Sequence, residues 1–252
     1  MDQAQIAALL APFLVDNQQP IADSLLAKLS TYLELLLKWN ARTNLTSVRT
    51  PVEIVARHFG ESIFAAQYLF PDPTTTAVLA DIGSGAGFPG LPIKLWASKL
   101  RVTLVESHSK KSTFLREVVR ALPLTGVEVF AGRAEDLAAN LNSAIQGTQE
   151  ITREGHDVSR ATPAPPNRGL QPLGSTPLFD VVTLRAVEQF DRILPIAATL
   201  LQPNGRLALM IGDEQIPIAA STLPKFQWEN TVTIPNSRNR VLLAGRPTQE
   251  PN

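Results

Sequence analysis

From residue 78 onward the sequence alternates short apolar runs with stretches of helical periodicity, and few folds accept that order. The apolar runs cover 78–82, 102–105, 127–130, 179–184 and 206–211. Helical segments follow three of them, ending near Leu100, Leu122 and Leu201. Strands separated by helices pair in parallel through right-handed crossovers, which predicts a doubly wound α/β sheet with helices on both faces. Two late runs, 226–234 and 240–245, are expected to pair antiparallel at one edge, making the sheet mostly parallel and seven-stranded.

Ahead of the sheet, Leu25, Leu29, Tyr32, Leu33, Leu36 and Leu37 fall at helical spacing within 22–39. A second helix is expected to begin at Thr50-Pro51-Val52-Glu53 and run to about Leu69. There a threonine cap, a proline in the first turn and a glutamate three residues on suit the free amides. Residues 1–74 therefore read as an N-terminal helical extension, and 75–252 as the main domain. Within that domain, 142–177 is rich in Pro, Gly, Ser, Thr and Asn with almost no apolar periodicity. It predicts a disordered insertion.

Composition narrows the partners. Lys plus Arg and Asp plus Glu both total 23, so any basic footprint must be local. Two clusters qualify. Lys38, Arg42, Arg49 and Arg57 face only Glu53 between residues 38 and 60, and Lys110, Lys111, Arg116 and Arg120 face only Glu117 between 108 and 120. Both suit phosphate contacts, and both also suit solvated helix faces. The chain has no cysteine, which removes disulfides, thiol catalysis and cysteine metal sites. His58, His108 and His156 show no metal-ligand spacing. No apolar run approaches the roughly 18 residues of a membrane span, and the first residues lack a basic leader. The expectation is a soluble cytoplasmic protein with no metal and no membrane partner.

Between the first strand and its helix lies Asp81-Ile82-Gly83-Ser84-Gly85-Ala86-Gly87-Phe88-Pro89-Gly90. Doubly wound sheets bind cofactors at that place, and glycine lets a ligand approach the backbone. The dinucleotide fingerprint requires a third glycine where this chain has Phe88, so a nicotinamide oxidoreductase fits poorly. The pattern is acidic-x-G-x-G-x-G, with Asp81 leading Gly83, Gly85 and Gly87. It resembles motif I of class I methyltransferases, in which the loop cradles the methionine and ribose of S-adenosylmethionine. Glu106 ends the second strand, where a carboxylate can accept from both ribose hydroxyls.

Further pieces narrow the resemblance. Leu37-Lys38-Trp39-Asn40, Asn44-Leu45-Thr46-Ser47, Arg57-His58, the segment Ser109 to Leu115, Gly132-Arg133-Ala134-Glu135 and Arg185-Ala186 are similar to the RsmG (GidB) family of bacterial 16S ribosomal RNA guanine-N7 methyltransferases. The resemblance runs from about residue 30 to 245, apart from the insertion. It implies cofactor contacts at Gly83, Phe88, Ala134, Glu135 and Arg185, a class I methyltransferase fold, and 16S ribosomal RNA or the small subunit as partner of a monomeric enzyme. Relatives carry Asp-Ser-Leu where this chain has Glu61-Ser62-Ile63, and a lysine where it has Ile211.

Guanine N7 bears a lone pair and no proton, so in-line attack on a sulfonium methyl needs orientation and no general base. Arg185, directly after the fourth strand, is the expected orienting residue, with a surface arginine pairing with Glu188 as the alternative. Lys38, Arg42, Arg57, Lys110 and Lys111 are the expected RNA contacts. His58 fits a packed side chain as well as a substrate contact. Two alternatives keep the fold: a methyltransferase of another RNA or a small molecule, and a non-catalytic ribosome-assembly factor.

Overall fold

The structure is a computed structural model, and it describes residues 1–15, 21–153 and 178–248. Five parallel strands carry the sheet: β1 (Val78–Ile82), β2 (Arg101–Val105), β3 (Val127–Phe130), β4 (Phe179–Arg185) and β5 (Leu201–Gly212). Strand β8 (Arg240–Pro247) runs antiparallel to β5, and β6 (Phe226–Trp228) and β7 (Val232–Thr233) both pair with β8. The order is β3-β2-β1-β4-β5-β8-β6, so the chain reverses direction across the sheet between β1 and β4. The expected doubly wound sheet is present. Its outer edge is divided between two short strands, which makes eight strands instead of seven.

Nine α-helices are found among the described residues: α1 (Gln3–Leu10), α2 (Asp23–Thr43), α3 (Pro51–Ile54), α4 (Glu61–Leu69), α5 (Gly90–Trp96), α6 (Ser109–Ala121), α7 (Ala134–Arg153), α8 (Phe190–Thr199) and α9 (Ile216–Thr222). Alternate side chains of β5 show how the sheet divides them. Leu207, Leu209 and Ile211 pack in a core with Leu137 of α7, Leu194 of α8 and Ala219 of α9. Ala208 and Met210 enter the opposite core, with Leu29, Leu36, Phe59, Ile93 and Phe114. The period of two in the strand thus meets helices on each face. The N-terminal helices belong to the second core: α1, α2 and α4 cover the sheet together with α5 and α6.

Thr50 caps α3 as expected, accepting from the Glu53 amide. The helix then widens into a π turn, Val55–Gly60, before α4 continues to Leu69. Such turns interrupt the regular helical stagger and often mark functional positions. This one carries Arg57 and His58. A correction concerns the insertion. Helix α7 continues to Arg153, so residues 142–153 are helical and do not belong to a structureless segment. Ala138, Ala139, Leu141, Ala144, Gln146, Gln149 and Glu150 favour the helix through Gly147, and the Pro-rich composition lies beyond it. The rest of the expected insertion, 154–177, lies outside the described residues.

Candidate functional site

The carboxyl ends of β1, β2, β3 and β4 open onto two adjoining clefts. One, of about 460 Å³, is lined by Gly83, Glu106, His108, Ala134, Glu135 and Arg192 among others. The other, of about 450 Å³, is walled by Thr46, His58, Gly85, Phe88, Arg185 and Arg240 among others. Gly83, Lys111 and Ala186 line both. Parallel register produces this junction: Ile82 pairs with Val105 on one side and Leu184 on the other, so the residues that follow emerge together.

The glycine loop is shaped by left-handed backbone at Gly83, Gly85 and Gly87, with φ of 67°, 59° and 94°. A Cβ on Gly85 would have the Gly83 carbonyl at 3.8 Å as its nearest neighbour, so its face toward the cleft is open. Gly87 differs. A Cβ there would strike Leu91 Cδ1 at 2.5 Å and the Tyr32 hydroxyl, and Gly87 lines neither cleft. Its glycine is required by packing.

Asp81 also corrects the sequence reading. It is fully buried, accepts from the Gly90 amide at 3.0 Å and the Thr183 hydroxyl at 2.8 Å, and lines neither cleft. It ties the loop to the start of α5 and to β4. Burial raises its pKa to about 6, against the hydrogen bonds from Thr183, Gly90 and Ser84 and the charge of Arg185.

Glu106 does reach the first cleft. Its carboxylate accepts from the Gly85 amide at 2.8 Å and the His108 amide at 2.7 Å. It braces the glycine loop while standing at the wall. Ala134 is buried at the start of α7 and Glu135 beside it is exposed.

In the second cleft Phe88 forms the centre of an aromatic cluster. It stacks on Tyr32 with centroids 5.4 Å apart and on His58 at 4.8 Å. The Arg185 guanidinium carbon lies 6.0 Å from the same ring. Arg185 does not pair with Glu188. Its Nη2 donates to Glu61 at 2.9 Å and to the Arg57 carbonyl at 2.9 Å, and its Nη1 donates to His58 Nδ1 at 3.1 Å. Glu61 takes Arg240 on its other oxygen at 2.5 Å. Burial pushes the Glu61 carboxyl above its usual range, and the two guanidinium groups pull it back. The His58 pKa falls to about 3, first by burial and then by Arg185, Arg57 and Arg240. The ring is neutral, both packed and at the cleft wall.

Of the expected RNA contacts, Arg57 and Lys111 reach the clefts. Lys38 and Arg42 of α2 and Lys110 of α6 are exposed and line neither. Arg49 is engaged with the Asn40 carbonyl and the Asn44 side chain. Sequence reasoning missed Glu61, Arg240 and the left-handed Ala186 (φ 50°) at the junction. Glu61 carried a signal as an acidic residue in the apolar run of α4, and Ala186 as part of the Arg185-Ala186 segment, whereas Arg240 carried none. No helix among the described residues is long and apolar enough to cross a membrane.

A family model described as rRNA small subunit methyltransferase G (GidB) matches residues 25–149. The chain is 49% identical over 184 residues to the ribosomal RNA small subunit methyltransferase G of Xylella fastidiosa, covering 73% of this chain and 68% of that protein. The like-named protein of Sorangium cellulosum is 31% identical over 231 residues, covering 90% and 82%. That of Oenococcus oeni is 43% identical over 129 residues, and this chain spans about half of it, 53%. Two solved structures share the fold. A variant of MtNAS in complex with S-adenosylmethionine gives a TM-score of 0.51 at 14% identity, covering 87% of this chain and 76% of that one. A ribosomal protein methylase from Lactobacillus delbrueckii gives 0.50 at 12%, covering 77% and 80%.

Proposed function

Because the chain belongs to the RsmG (GidB) family of small-subunit ribosomal RNA methyltransferases, we propose that it transfers a methyl group from S-adenosylmethionine to N7 of a guanine in 16S ribosomal RNA. The observation that carries this reading is the junction of the two clefts at Gly83, Lys111 and Ala186. A ligand in one can present a single atom to a ligand in the other.

The residues of the first cleft fit the cofactor. Gly83 lines both clefts, and Gly85 beside it, on the second-cleft side of the junction, leaves an open face toward the methionine end of the cofactor. Glu106 offers carboxylate lone pairs beyond those used by the two amides, suited to ribose hydroxyls. Ala134 and Glu135, at the head of α7, suit the adenine edge. When bound, S-adenosylmethionine supplies an electrophilic methyl on a positively charged sulfur. Held by Gly83, Glu106, Ala134 and Glu135, it would offer that methyl to the N7 lone pair of a guanine in the second cleft, the positive charge passing from the sulfur, left as a neutral thioether, to the base. No proton moves, so the protein has to align the partners and exclude water.

The second cleft suits that task. Phe88 and neutral His58 form a flat wall, and Glu61 holds Arg185 and Arg240 in place at its rim. Arg185 is thus the orienting residue, working largely through the groups it fixes. Arg57 and Lys111 are placed to meet phosphates at the mouth, with the exposed Lys110 next to Lys111 on α6 and the exposed Lys38 and Arg42 on α2 as further contacts. The proposed enzyme is a cytoplasmic monomer that needs no metal for this chemistry.

Small ribosomal subunits from bacteria lacking this enzyme, incubated with the protein and methyl-tritiated cofactor, should gain label in N7-methylguanine of 16S RNA. Label on another base, or only on protein or small molecules, would refute the reading.

A further inference from the structure

Thr46 lies in the loop between α2 and α3, half-buried, on the wall that also carries His58, Phe88 and Arg185. The loop is fixed from below. Asn40, itself 3% exposed, accepts from the Thr46 amide at 2.9 Å and donates to the Val48 carbonyl at 3.2 Å. The Thr46 side chain is therefore presented by a rigid support.

Its hydrogen-bond polarity can be worked out. The Arg185 guanidinium only donates, so His58 Nδ1, 3.1 Å away, must be the acceptor. The neutral ring then carries its proton on Nε2, which donates to Thr46 Oγ1 at 2.8 Å. The Val48 amide donates to the same oxygen at 3.2 Å. Both acceptor positions of the hydroxyl are filled, and only its own hydrogen remains to be used. Nothing among the described residues accepts it.

From this polarity we infer that Thr46 is a specificity-determining residue whose hydroxyl donates to the exocyclic oxygen of the target base, O6 of guanine. The inference rests on the guanine-N7 reading above. O6 sits beside N7 on the same edge of the base, and adenine has an amino donor in its place. A hydroxyl free to rotate would accept either base. One held as a donor by Glu61, Arg185 and His58 in series pairs with guanine and opposes adenine, because an amino group would meet a hydrogen.

The test compares the full-length enzyme with Thr46→Val and Thr46→Ser on 16S RNA in small-subunit particles. One set of particles carries guanosine at the methylated position and a second carries 6-thioguanosine, whose sulfur is a weaker acceptor. Thr46→Val should lose about tenfold to a hundredfold in kcat/KM on guanosine, the size of one hydrogen bond to substrate. Thr46→Ser should recover most of that loss, and S-adenosylmethionine affinity by calorimetry should be unchanged in both. The thio substitution should slow the wild type severalfold and leave the residual rate of Thr46→Val unaltered. An equal thio penalty in wild type and Thr46→Val overturns the inference, since the oxygen would then be read by another group. So does a Thr46→Ser rate as low as that of Thr46→Val, or an undiminished Thr46→Val rate. A wild type that methylates no guanine N7 brings down the underlying reading, and this inference with it.

Discussion

Gly85 and His58 carry the two sharpest expectations at the scale of single residues. Gly85 has a left-handed backbone and an open cleft face, so Gly85→Asp adds strain of about 1–2 kcal/mol and a carboxylate beside Glu106. The variant should still fold, with a lowered melting temperature, and should show no S-adenosylmethionine binding by calorimetry. Unchanged affinity would remove the glycine loop from the cofactor site. His58 is held neutral, with a pKa of about 3 in the fold. The unfolded chain takes up a proton near pH 6.5 and the folded one does not, so acid favours unfolding through this group. The stability difference between wild type and His58→Asn should therefore shift toward the variant as pH falls from 6.5 to about 3. The slope is at most about 1.4 kcal/mol per pH unit, read from urea melts at each pH. A difference that does not change with pH would mean His58 titrates normally. Asp81 and Gly87 show where residue type alone misleads: a motif position can be required for the loop's own packing without facing the ligand.

Helix α2 and the glycine loop are joined as elements by one buried side chain. Tyr32 donates its hydroxyl to the Ala86 carbonyl and stacks on Phe88, so the helix fixes the loop from behind. Tyr32→Phe keeps the ring and removes the donor, leaving a carbonyl of the loop without its partner. The cost should be near 1 kcal/mol, seen as a severalfold weaker S-adenosylmethionine affinity with an unchanged circular dichroism spectrum. No loss of affinity would show that the loop holds its shape without the helix. The π turn at Val55–Gly60 and the late strand β8 act likewise. One brings His58 to the wall and the other brings Arg240, opposite Gly212 in the register, to Glu61. Neither contact follows from periodicity, because each depends on which elements become neighbours.

For the molecule as a whole, the N-terminal helices and the sheet share one core, with Leu29, Tyr32, Leu36 and Phe59 beside Leu91, Leu104 and Phe114. A chain starting at residue 75 would expose that entire face to water. It should fail to unfold cooperatively in a thermal melt, and a sharp transition near that of the full chain would establish the sheet as an independent domain. The order of strands and helices, the edge pairing and the place of the glycine loop were legible in the sequence, because they follow from local periodicity and turn chemistry. The end of α7 was not, since the Pro- and Gly-rich residues after 153 coloured the composition of the helical stretch before them. The residues lining the clefts were legible where they follow a strand directly, as Gly83 and Glu106 do, or end one, as Arg185 does. Residues far apart in the chain, Thr46, His58, Glu61, Arg185 and Arg240, meet only through packing. Sequence by itself determined which fold forms and where its glycine loop lies, because short-range patterning dictates both. Tertiary structure alone decided which carboxylate holds which arginine and which way each proton points, because those depend on burial and on contacts between distant segments.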